Sequence, residues 1–118
     1  MSRHHEELYV RHIQDAIAKA IQWANRITRA EFMADEFAQS AIIRQLEIAG
    51  EAAGRLSEEF RQSHPELEAR RLRALRNVLI HGYADVDLET VWDVVRHDLP
   101  ALQQQLRSEN AHSPEPEE

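Results

Sequence analysis

Apolar residues recur along this chain at alternating spacings of three and four, the period of a helix with one buried face. Four such stretches can be read, and no strand. The first spans about residues 5–29, with Val10, Ile13, Ile17, Ala20, Ala24 and Ile27 forming one seam. The second spans about residues 35–60, with Ile42, Leu46, Ala49, Ala53, Leu56 and Phe60 in the same register. Gly50 and Gly54 interrupt it, each costing about 1 kcal/mol against alanine in a helix interior; on one face with Ala53, they predict close approach of another backbone. Pro65 suits the first turn of a third helix capped by Ser63 or His64. Leu72, Leu75 and Leu79 point that helix at a core, and Gly82 is its predicted stop. A fourth helix begins after Asp87, a good N-cap, with Leu88, Val91, Val95, Leu99, Leu102 and Leu106 as its stripe and Trp92 broadening it. Pro100 should kink or restart it. Trp23 and Trp92 are predicted core or interface fillers.

The pattern predicts an all-α protein, an up-and-down bundle of four main helices formed by residues 1–107. The remainder, 108–118 (SENAHSPEPEE), has no apolar period and reads as a disordered acidic tail. The chain has 118 residues, enough for one core, and no cysteine, which removes disulfides and thiolate metal sites. No apolar run approaches the roughly 20 residues of a membrane span. Met1 to Glu7 lacks an apolar leader, so the cytoplasm is the expected compartment.

Charge refines this picture. The formal net charge is -7, which disfavours a surface basic all over, as a nucleic-acid coat would be. More than half of it comes from Glu109, Glu115, Glu117 and Glu118 in the tail. Arg70, Arg71, Arg73 and Arg76 form a basic cluster with no acid among them, compatible with RNA contact at one place. His4, His5 and His12, with Glu6 and Glu7, match no closed zinc spacing. His97, four residues after Asp93, reads as a helix-surface contact.

The chemistry concentrates in Arg76-Asn77-Val78-Leu79-Ile80-His81-Gly82-Tyr83. Arg76 and His81 are five positions apart, about 140° around a regular helix, so one copy does not bring them together. Either the helix unwinds near Gly82, or a two-fold dimer supplies a second copy of the motif. A neutral imidazole can take a proton from a ribose 2′-hydroxyl, and a guanidinium can hold the charge that builds on phosphate. The plainer alternative is a structural histidine at a helix C-terminus, where the dipole favours it.

This segment resembles the Arg-x4-His-x-Tyr signature of the HepT-like toxins, a branch of the HEPN superfamily. The resemblance runs roughly from Ile13 to Leu102 and takes in the Gly50-Glu51-Ala52 triplet and Val86-Asp87 after the motif. Many relatives carry a tryptophan shortly before the motif, where this chain has Glu68-Ala69-Arg70-Arg71-Leu72. The resemblance implies a homodimeric endoribonuclease toxin that needs no metal and no cofactor, with Arg76 and His81 as its catalytic pair and RNA as its substrate. It also implies a nucleotidyltransferase antitoxin (MntA-like) that transfers AMP onto the motif tyrosine, here Tyr83. Asn77 is a supporting residue or a helix-packing one. Glu51 either approaches the cleft or belongs to a solvated face, and Arg70 and Arg73 are candidates for contact with RNA or the partner. The alternative function is a HEPN module that docks a nucleotidyltransferase or a nucleotide without cutting RNA.

Overall fold

The computed structural model describes residues 3–65, 71–72, 74–77 and 87–112, with side chains of 3–4 and 108–112 left aside. Every regular element among the described residues is helical, so the all-α expectation holds, but the expected helices are divided. Helix α1 is Arg3–Ala24, α2 is Arg29–Ala34, α3 is Glu36–Gly54 and α4 is Glu58–Ser63. Residues 71–72 and 74–77 are helical. Helix α5 is Leu88–Asp93; a π-helical turn, Val94–Asp98, joins it to α6, Leu99–His112.

The long helices α1 and α3 pack along each other, α6 and the π turn lie against α1, and α2 sits on α3 and α5. The predicted seams supply most of the core. Val10, Ile13, Ile17, Ala20 and Ala24 of α1 are buried, as are Ile42, Leu46, Ala49 and Ala53 of α3. Val91, Trp92, Val95, Leu99, Leu102 and Leu106 close the core from the C-terminal arm, with Leu72 and Leu75 between. Trp23 is partly buried against the same cluster.

Each departure from the expected boundaries has a local cause. The first helix stops at Ala24, not near Arg29, because Thr28 starts a new one. Thr28 Oγ1 accepts from Glu31 N at 3.1 Å while Glu31 Oε1 accepts from Thr28 N at 2.9 Å, a reciprocal capping box. Asp35 then ends α2 and starts α3: its N–H donates to Phe32 O, and its Oδ1 accepts from Phe37 N and Ala38 N.

The second predicted helix breaks after Gly54. Ser57 takes extended backbone angles and caps α4, its Oγ accepting from Phe60 N at 2.9 Å. Two contacts hold the break: Glu6 Oε1 accepts from Ser57 N, and Arg61 Nη2 donates to Ala53 O. Gly50 is buried, but Gly54 is exposed and a Cβ there would meet nothing within 4 Å. The predicted close approach therefore fails at Gly54, which marks a helix end instead. Ser63 closes α4 and His64 is its C-cap; the start of the predicted third helix, which either residue was expected to cap, lies outside the described residues. A residue before proline is pushed out of the α region, and His64, before Pro65, has φ -131° and ψ 65°.

Asp87 caps α5 as expected. Its Oδ1 accepts from Glu89 N at 3.0 Å and its Oδ2 from Thr90 Oγ1 at 3.0 Å. Asp87→Ala should cost about 1 kcal/mol, read as a lower denaturant midpoint at unchanged slope, and Asp87→Asn should recover most of it. Pro100 acts through the turn before it. In an unbroken α-helix its ring would meet the carbonyl of Arg96. The chain instead widens by one residue, Leu99 N–H bonding to Val94 O, five residues back. Helix α6 restarts there with Pro100 in its first turn. It runs to His112, five residues beyond the expected boundary at Arg107; residues 113–118 lie outside the described ones.

Candidate functional site

The described part of the motif helix has two faces. Leu75 is fully buried and Leu72 nearly so, while Arg76 and Asn77, next in sequence, are exposed. A helix advances about 100° per residue, so Asn77 lies opposite the Leu72–Leu75 face, while Arg76, four residues after Leu72, flanks that face and still reaches solvent. The Arg76 guanidinium is thus available to a phosphate, and the Asn77 side chain is exposed beside it. His81 and Tyr83 lie outside the described residues, as do Arg70 and Arg73. Their meeting with Arg76, within one copy or between two, remains an expectation from the motif.

Glu51 is exposed on α3. Neither ion pair seen among the described residues, Arg29–Glu89 or Arg44–Glu47, includes Glu51 or Arg76. Among the described residues, no group of three His, Asp or Glu side chains is placed to hold a metal ion. Glu6 is buried, and its carboxylate accepts from Ser57 N–H. His97 contacts the fourth helical arm itself: its Nδ1 donates to Asp93 O, the main-chain carbonyl, at 3.2 Å. No described helix is long and apolar enough to cross a membrane.

One polar cluster escaped the sequence reading. Arg96, on the π turn, donates through Nη1 to Asn25 Oδ1, 71 positions away in the chain. Its guanidinium carbon lies 5.7 Å from the centroid of the Trp92 ring. Beside it, Arg29 pairs with Glu89 at 2.8 Å. These two contacts tie the turn between α1 and α2 to the α5 arm. No local pattern could have revealed a pair so distant in sequence.

The family model for "Ribonuclease HepT-like" proteins matches residues 13–109, including the whole Arg76–Tyr83 motif. A Thermococcus cleftensis protein named "Probable ribonuclease HepT" is 36% identical over 102 residues, covering 86% of this chain and 92% of that protein. A "Putative RNase" of Caldanaerobacter subterraneus subsp. tengcongensis is 30% identical over 99 residues, 84% of this chain and 88% of its own length. A longer Methanocaldococcus jannaschii protein, "Gamma-glutamylcyclotransferase and putative RNase", is 33% identical over 100 residues, 85% of this chain but 45% of its own length. No solved structure matches the chain.

Proposed function

Because the chain belongs to the ribonuclease HepT-like family, we propose that it is an endoribonuclease toxin that cuts RNA without a metal, at a site shared by two copies. One observation carries this reading furthest. The family match spans the motif, and Arg76, the residue that opens the motif, is exposed on its helix.

The chemistry follows from the two side chains. The His81 imidazole takes the proton from a ribose 2′-hydroxyl, and the 2′-oxygen attacks the adjacent phosphorus. The bond from phosphorus to the 5′-oxygen breaks. That oxygen leaves with a proton from the second copy's His81, giving a 2′,3′-cyclic phosphate and a 5′-hydroxyl end. Arg76 holds the phosphate oxygens as negative charge gathers on them, a task its planar fork performs better than a point charge. The separation of the two side chains around the helix is why a two-fold pair is needed. Such a protein works in the cytoplasm, where its RNA substrate is.

Restraint of the toxin belongs to a nucleotidyltransferase antitoxin. The Tyr83 hydroxyl attacks the α-phosphorus of ATP and pyrophosphate leaves, so AMP is joined to the ring. The added phosphodiester brings bulk and negative charge beside Arg76, where substrate phosphate would sit.

Induced alone in a bacterium, the wild-type chain should arrest growth and His81→Ala should not. Equal harmlessness of both would favour the non-cutting binding module instead. Co-expressed with its nucleotidyltransferase, the intact protein should gain mass in AMP units, and Tyr83→Phe should gain none. An unchanged wild-type mass would remove the modification from the scheme.

A further inference from the structure

We infer that Arg96, seated against Trp92 and steadied by Asn25, is a contact for an RNA backbone phosphate outside the Arg76–Tyr83 motif. The inference rests on the reading of RNA as the substrate.

Arg96 differs from the other arginines on the described surface in how it is held. Trp92 is 7% exposed and is fixed from below by Phe32, the ring centroids 5.1 Å apart. A cation within about 6 Å of an indole face is attracted to it, so Trp92 forms an anchored floor for the guanidinium. The Asn25 side chain takes one N–H. An arginine has five N–H donors, so four remain, and the group is exposed.

A side chain already ordered in this way loses little rotamer freedom when it meets a ligand. The turn that carries Asn25 is itself ordered: Asn25 N donates to Ile21 O, and Thr28 and Glu31 close the capping box three residues on. The π turn holds the other side, because the register forced by Pro100 sets where Arg96 leaves the helix.

A second cation stands on the same turn as Asn25, the exposed Arg26. Of the acids on the arm, Glu89 is engaged with Arg29, Asp93 is exposed and Asp98 is half-buried. A planar guanidinium with donors to spare suits a phosphate oxygen pair. The large apolar side chains exposed among the described residues are Leu8 and Phe37, on α1 and α3, and none is on the turn or the arm that carries Arg96.

The test uses the full chain carrying His81→Ala, so that RNA is bound and not cut. A fluorescent single-stranded RNA of mixed sequence is titrated at several salt concentrations between 50 and 200 mM, with Arg96→Ala, Arg96→Lys and Asn25→Ala added in turn. For single strands each neutralised phosphate contributes about 0.7 to the slope of log affinity against log salt. Arg96→Ala should weaken binding and reduce that slope by about 0.7. Arg96→Lys should keep the slope and bind less tightly, and Asn25→Ala should weaken binding with its slope intact. A thermal melt of each variant separates this from a purely structural tie between the turn and α5, which would move stability and leave the slope alone.

An unchanged slope in Arg96→Ala overturns the inference. So does an effect of Arg96→Ala confined to capture of the nucleotidyltransferase. Wild-type cleavage of the same RNA keeps the two readings apart. If the wild type cuts and the slope is unmoved, only the Arg96 contact falls; if the wild type neither cuts nor binds RNA, the nuclease reading falls with it.

Discussion

His81→Ala should slow RNA cleavage by about a hundred- to ten-thousand-fold, the usual worth of general acid–base catalysis, while the helical content of the protein stays the same. The reason is proton transfer: without an imidazole near neutrality, the 2′-hydroxyl has no base to release it. Arg76→Ala should also cut the rate severely. Because Arg76 is exposed, its removal should change stability by no more than about 0.5 kcal/mol, so lost cleavage would report on chemistry rather than folding. Arg76→Lys should rescue little if the fork is what holds the phosphate. Mixing the two inactive variants tests the shared site. A dimer of one Arg76→Ala copy and one His81→Ala copy still holds one arginine and one histidine, from opposite subunits, and should regain part of the activity. Mixed samples as inactive as either parent would mean that base and acid are both required, one from each copy. Full activity in a strictly monomeric sample would sink the two-copy site.

Phe32→Ala should cost about 3–5 kcal/mol, a large share of the roughly 5–15 kcal/mol that holds a domain folded. Phe32 is completely buried and lies against Trp92 with the rings tilted by 32°. Helix α2 has six residues, too short to persist without tertiary contacts, so its docking depends on this side chain. The void left by alanine would open between α2, α3 and α5. It would also remove the support beneath Trp92, and with it part of the order of Arg96. Chemical denaturation of the full chain measures the loss. A change below about 1 kcal/mol would mean that α2 contributes little to the folded core.

The prediction for Phe32 shows where periodicity alone falls short. Every residue of the α1 seam from Val10 to Ala24 is buried where the three-and-four spacing puts it, because a long amphipathic helix repeats its message over many turns. Phe32 stands on a helix of fewer than two turns, where no repeat can accumulate, and the periodic reading passed over it. The boundaries failed for a different reason. Thr28-Arg29-Ala30-Glu31 has the composition of a capping box, and Ser57 is a good N-cap. At both places an apolar spacing carried on through the cap, and side-chain bonds to the backbone prevailed over the apparent continuity.

Taken alone, the sequence was enough to establish the helical class, most of the core, the cap at Asp87 and the restart at Pro100, because each depends on residues within a turn or two of one another. It also carried the Arg76–Tyr83 motif, legible as a spacing and as a family likeness. Tertiary structure decided what depends on distant partners: the exposure of Arg76 at the flank of the buried Leu72 and Leu75, the burial of Glu6 beneath Ser57, and the seat of Arg96 between Trp92 and Asn25. Contacts between positions far apart in the chain leave no period or spacing behind, since only the packing of helices brings them within bonding distance.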